Sequence, residues 1–98
     1  MKVIWSKESL DRLIEIEEFI SEYNPIKAVE FIDFIISKSI TIEDNPKIGR
    51  VVPELSNNEI RELIIKNYRL VYKIRKNNIE ILTVFEGHRL IKRSEIFP

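Results

Sequence analysis

The sequence predicts an α+β domain in which a helical hairpin packs on one face of a small antiparallel sheet. Apolar residues follow helical spacing through most of the first half of the chain, after a short opening strand. Apolar and polar residues alternate through most of the second half, which is typical of strands. A length of 98 residues suits one domain, so we expect a single domain over residues 1–98 in the order β-αα-βββ.

The first half predicts a strand and two helices with recognisable ends. Residues 2–5 form the strand, and Ser6 can cap the first helix with its hydroxyl. Asn24 and Pro25 end that helix and begin the next, because asparagine caps helices and proline is favoured at the first helical position. The run 44–46, Asp-Asn-Pro, ends the second helix.

Two polar dipeptides predict the turns of a three-stranded meander. Taking residues 66–67 and 77–78 as two-residue turns, the first hairpin pairs Ile65 with Tyr68. The second hairpin then pairs Ile74 with Ile81. The directly opposed pairs form a largely apolar face, which we expect to cover the helices.

The other face of the predicted meander carries Arg69. In this register Arg69 lies opposite Glu86, where the chain leaves the sheet towards His88. We expect this face to be partly open. Its apolar residues are an expected contact surface, since they would otherwise lie in water; they are Ile60, Ile64, Leu82 and Val84.

Composition excludes several classes of protein. The chain has no cysteine, so it forms neither disulfides nor thiolate zinc sites. No apolar run approaches the roughly 20 residues of a membrane helix. The opening residues reach acidic side chains too soon for a signal peptide, so we expect a cytoplasmic protein. We see no metal-ligand spacing and expect no cofactor.

The charges are unevenly distributed although the formal net charge is zero. Residues 1–46 carry five basic and ten acidic side chains, a net −5, whereas residues 47–98 carry eleven basic and six acidic, a net +5. Such asymmetry is consistent with a basic working surface on an acidic scaffold, or with two solvated layers.

Five stretches, in this order and spacing, resemble the RelE/ParE toxins from end to end. They are Val3-Ile4-Trp5-Ser6, Asn24-Pro25, Pro46-Lys47-Ile48-Gly49-Arg50, Val52-Pro53-Glu54-Leu55 followed by Ile60-Arg61-Glu62-Leu63, and Tyr68-Arg69-Leu70-Val71-Tyr72. The resemblance implies the toxin of a type II toxin–antitoxin system, neutralised by a cognate antitoxin. Some members cleave messenger RNA on the ribosome, and others, of the ParE type, poison DNA gyrase.

The resemblance also implies a set of site residues for the ribonuclease. Such an enzyme needs no metal: a ribose 2′-hydroxyl attacks the phosphorus, cations stabilise the phosphate, and an acid protonates the leaving oxygen. Arg69 and Arg89 match the arginines that hold the phosphate. Glu54 and His88 resemble the proton-handling pair of the YoeB branch.

The sequence departs from RelE at other site positions. Ile60 and Glu62 stand where RelE has two lysines, and Phe97 stands where it has a tyrosine. We expect a toxin acting by ribosome-dependent mRNA cleavage, with the ribosome and mRNA as partners. The alternatives are a non-enzymatic inhibitor of DNA gyrase and an inactive relative that binds only its antitoxin.

Overall fold

The computed structural model describes residues 1–97, and its elements follow the predicted order with two short additions. The additions are β2, between the helices and the meander, and α3 near the end of the chain. The elements are β1 (Lys2–Trp5), α1 (Lys7–Ser21), α2 (Pro25–Asp44), β2 (Arg50–Val51), β3 (Ile60–Ile65), β4 (Tyr68–Ile74), β5 (Asn78–Glu86) and α3 (Arg93–Ile96).

The predicted helix ends are confirmed. The Ser6 side chain accepts a hydrogen bond from the backbone N–H of Ser9 at 3.1 Å and so caps α1. Asn24 caps α2 in the same way, accepting from the N–H of Lys27 at 3.1 Å, and Pro25 occupies the first helical position. α2 ends at Asp44, as the sequence predicts.

The helical hairpin and the meander are confirmed, but the sheet is mixed rather than purely antiparallel. The strand order is β1-β5-β4-β3-β2, and β1 runs parallel to β5. β1 leads into α1 through Ser6. Ser6 is tied to β5 there, donating its backbone N–H to the carbonyl of Ile81 and its hydroxyl to that of Leu82, both at 3.0 Å.

The predicted register is confirmed for the first hairpin of the meander and is wrong for the second. Ile65 lies opposite Tyr68 as expected. Ile74, however, pairs with Ile79, and the register shifts again at an irregularity between residues 71 and 72. As a result Arg69 lies opposite Phe85 and not opposite Glu86.

Both faces of the sheet are covered by apolar side chains. A first cluster joins the helices to one face; its buried members are Leu13, Ile16, Ile35, Ile42, Ile65, Leu70, Tyr72, Ile79, Ile81 and Val84. A second cluster, on the other face, consists of Val52, Leu55, Ile60, Val71, Phe85 and Ile91. Of the four apolar residues expected on a partly open face, Ile60 and Val84 are therefore buried within the chain, whereas Ile64 is exposed and Leu82 is half-buried.

Among residues 1–97, no helix is long and apolar enough to cross a membrane.

Candidate functional site

The candidate site lies at the border of the second cluster, where three parts of the chain meet β4. These are strand β3, the loop 52–55, and residues 87–97, which we call the C-terminal segment. The loop is compact because the N–H groups of Leu55 and Ser56 both bond the carbonyl of Val52 at 3.1 Å. Val52 and Leu55 are buried, which turns the intervening Glu54 towards β4.

Arg69 on β4 is the centre of the site. Its Nε donates to Glu62 at 2.6 Å, and its two terminal nitrogens donate to both carboxylate oxygens of Glu54 at 2.8 and 2.9 Å. One of these nitrogens also donates to the backbone carbonyl of Arg89 at 2.9 Å. These bonds engage four of the five N–H donors of Arg69. The Arg69 side chain is only 4% exposed.

A second arginine completes the network. Arg50 on β2 donates to the free oxygen of Glu62 at 2.6 Å. The Glu62 side chain is fully buried, and a buried carboxylate is tolerated only when it is paired and hydrogen-bonded. Arg50, Glu62, Arg69 and Glu54, which we call the ion-pair network, thus form a chain of alternating charge across β2, β3, β4 and the loop.

Glu54 is held in its charged form. The hydrogen bonds from Arg69 are the largest influence, and together with the N–H of Ile91 at 3.0 Å they lower the pKa of the Glu54 carboxyl to about 2. A general base works best when its pKa lies near the operating pH. In this arrangement Glu54 is suited to binding donors and is poorly suited to accepting a proton.

An aromatic ring joins the two predicted arginines. The guanidinium carbons of Arg69 and Arg89 lie 5.2 and 5.0 Å from the centre of the Phe85 ring, within cation–π range. The register shift in β5 brings Phe85 to this face. Arg89 also forms an ion pair with Glu95 of α3.

The structure therefore brings together three of the four predicted site residues: Glu54, Arg69 and Arg89. His88 is exposed on the turn after β5, outside the ion-pair network. Ile60, where RelE has a lysine, is fully buried in the second cluster. Phe97 packs against the same cluster, with Lys73 and Arg93 at 5.9 and 5.0 Å from its ring centre.

Sequence reasoning missed Glu62 and Arg50 as members of the site. The resemblance marks Glu62 only as a departure from RelE. The available signal was its position: a carboxylate within an apolar strand, on the face of the meander that carries Arg69, indicates a buried ion pair.

Within residues 1–97 no cluster of histidine, aspartate and glutamate side chains is arranged to hold a metal ion. The charged groups of the ion-pair network instead bind one another. No buried side-chain polar atom of the described chain lacks a hydrogen-bond partner.

Comparison with known proteins identifies the family. No protein with curated functions matches the sequence. A solved chain of the chromosomal ParDE toxin–antitoxin system from P. aeruginosa has a similar fold, with a TM-score of 0.74 at 17% identity, covering 88% of this chain and 95% of that one. The family model described as the ParE toxin of the type II toxin–antitoxin system parDE matches residues 3–91. The chain therefore belongs to the ParE toxin family of type II toxin–antitoxin systems.

Proposed function

We propose that the chain inhibits growth by binding DNA gyrase without chemistry of its own, and that a cognate antitoxin neutralises it. The observation that most supports this proposal is the ion-pair network, in which Arg69 is already bound by Glu54, Glu62 and the backbone carbonyl of Arg89. Gyrase inhibition is the activity that the family resemblance associates with ParE-type members. It requires a binding surface and no free general base.

The network opposes the catalytic alternative on two counts. A phosphate could take two terminal donors of Arg69 only by displacing Glu54 or the carbonyl of Arg89, because those groups already occupy three of the four terminal N–H groups. Glu54, with its pKa lowered to about 2, would accept a proton at neutral pH only at a large energetic disadvantage.

Ribosome-dependent mRNA cleavage is the second candidate, and one observation favours it. Arg69 contacts the Glu54 carboxylate and the backbone carbonyl of Arg89, and the Arg69 and Arg89 guanidinium groups both lie over the Phe85 ring, although these residues are separated in sequence. With the exposed His88 supplying a proton, these residues correspond to the nuclease set that the resemblance implies. The active chain would then need a rearranged Glu54.

One experiment separates the two candidates. The purified chain is added to DNA gyrase with supercoiled DNA, and in parallel to translating ribosomes, with cleaved DNA and cut mRNA as the readouts. We expect inhibited supercoiling or accumulated cleaved DNA–gyrase complexes, and intact mRNA. Cut mRNA with normal gyrase activity would contradict the proposal.

The variant His88→Gln sharpens this comparison. His88 is exposed and outside the network, so its replacement leaves the fold intact. We expect full toxicity from His88→Gln if the chain acts by binding. A nuclease that uses His88 as its acid would lose about 10²–10⁴ in cleavage rate. Arg69→Ala does not discriminate, because it disrupts the network under either reading.

The antitoxin is proposed to bind the basic half of the toxin through an acidic segment that folds on binding. The exposed apolar side chains available there include Ile64 and Leu90, at 55% and 73% exposure. Amide protection on binding is expected along residues 60–86. Protection confined to α1 and α2 would argue against this surface.

A further inference from the structure

We propose that Glu54 is a positioning residue that holds the C-terminal segment on the sheet through Arg69, in the arrangement with which the toxin meets its target. The structural part of this proposal concerns the chain alone. The part that concerns the target rests on the proposed function.

Two hydrogen bonds carry the connection between Glu54 and the segment. One Glu54 oxygen accepts directly from the N–H of Ile91 at 3.0 Å. The same oxygen binds the Arg69 nitrogen that donates to the carbonyl of Arg89 at 2.9 Å. The carboxylate and the guanidinium therefore bind the backbone of the segment on both sides of Leu90, which fixes its path regardless of the side chain at that position.

The two carboxylates on Arg69 have different connections. Glu62 lies on β3 and pairs with Arg50 and Arg69, so its contacts join strands to each other. Glu54 lies on a loop, and its contacts join β4 to the C-terminal segment. Loss of Glu62 should weaken the sheet as a whole, whereas loss of Glu54 should loosen chiefly the segment.

The held segment presents an exposed surface with one large apolar side chain among cations. Leu90 is 73% exposed, and Arg89, Lys92 and Arg93 are exposed around it. Ile91, the next residue, is buried in the second cluster. The bond from Ile91 to Glu54 therefore determines which of two adjacent apolar side chains faces outward.

Amide hydrogen exchange tests the structural part. In Glu54→Gln we expect the Ile91 amide to exchange about 10–100-fold faster, since a hydrogen bond to a charged acceptor is lost. Amides of β4 and β5 should keep their protection. Glu62→Gln should instead raise exchange throughout β3 and β4. Glu59→Gln is the matched control, because Glu59 is exposed beside the same loop and should change neither.

A further variant covers the case in which Glu54→Gln fails to fold. Glu54→Asp keeps the charge beside Arg69 but shortens the reach to the segment, so the Ile91 amide should still exchange faster. Unchanged exchange at Ile91 in either folded variant would overturn the positioning role. Loss of protection across the whole sheet in Glu54→Asp would overturn it as well.

Binding to gyrase is then measured for the same variants. We expect Glu54→Gln to bind at least about tenfold more weakly than the wild type and Glu59→Gln to bind equally well. A loosened segment with unchanged binding would overturn the claim that the segment meets the target. If the wild-type chain itself does not bind gyrase, the proposed function fails, while the exchange results still decide the positioning role.

Discussion

Glu54 makes its contribution to stability through its charge, and that contribution should depend on pH. Its pKa is lowered from 4.5 to about 2 in the folded protein, so the folded state favours the ionised form. The stabilisation is therefore fully present above about pH 4.5 and is lost as the pH falls towards 2. At neutral pH it is on the order of 2–3 kcal/mol at most.

The free energy of unfolding of the wild type and that of Glu54→Gln, compared at a series of pH values, test this dependence. We expect the difference in the free energy of unfolding to be constant from pH 7 to about pH 5 and to shrink below that. Urea denaturation at a series of pH values measures it. A difference that persists unchanged at pH 2.5 would show that the carboxylate charge contributes nothing.

Tyr72 is the largest fully buried side chain, and its hydroxyl has two partners. The hydroxyl donates to the carbonyl of Pro46 at 2.6 Å and accepts from the N–H of Gly49 at 2.9 Å. Burial raises the pKa of Tyr72, which keeps the donor in place. Tyr72→Phe leaves both backbone groups without this partner.

We expect Tyr72→Phe to lower the free energy of unfolding by about 1–3 kcal/mol, measured by chemical denaturation. Tyr23→Phe is the control, because Tyr23 is 77% exposed and should change stability by less than about 0.5 kcal/mol. Equal effects of the two substitutions would contradict the role assigned to the buried hydroxyl.

At the scale of elements, the helices and the first hairpin of the meander were predictable because their signals are local. Ser6 and Asn24 cap backbone groups in the first turn of the helices that follow them, and Pro25 occupies the first helical position. The turn at residues 66–67 is short enough to determine its own register. The second hairpin turns at residues 76–77, one residue earlier than predicted, because the N–H of Arg75 bonds the carbonyl of Asn78. Neither the position of this turn nor the irregularity at residues 71–72 has a distinctive local signal.

The site was predictable only in part for a related reason. Arg69 and Glu54 were identified from the family resemblance. A resemblance indicates which residues belong to a site but not which residues they contact. The contacts between them join the loop, two strands and the C-terminal segment, so they depend on how distant parts of the chain pack. The incorrect register of the second hairpin also placed Glu86 opposite Arg69, where the structure has Phe85.

The turn that leads into β2 should tolerate no side chain at Gly49. A Cβ there would lie 2.6 Å from the carbonyl oxygen of Glu62 and 2.7 Å from the hydroxyl of Tyr72, and both are held in place. We expect Gly49→Ala to cost about 1–3 kcal/mol of stability. Gly87→Ala should cost less, because a Cβ at Gly87 would lie 3.2 Å from its nearest neighbour, the carbonyl oxygen of Asn67. Thermal melting of both variants measures which substitution destabilises the protein more. The reverse order would contradict this account.

At the scale of the whole molecule, one sheet separates two apolar clusters. The first cluster includes the buried apolar residues Leu13, Ile16, Ile35 and Ile42 of the two long helices, and the second includes residues of the loop 52–55 and of the C-terminal segment. Neighbouring residues of β4 belong to different clusters: Leu70 and Tyr72 to the first, Val71 to the second. The shared strand is expected to make the two faces unfold together, as small single domains usually do.

The pair Ile91→Ala and Leu90→Ala tests this coupling. Ile91 is 5% exposed in the second cluster, so its truncation should cost about 2–4 kcal/mol, whereas Leu90, 73% exposed, should change stability by less than about 0.5 kcal/mol. Trp5 packs against the first cluster, on the opposite face, and its fluorescence reports on that face. We expect the Trp5 transition in Ile91→Ala to shift by as much as the backbone circular dichroism. A Trp5 transition that stays at its wild-type position while the circular dichroism shifts would mean that the two faces unfold independently, and that the C-terminal segment can open without loss of the helical side.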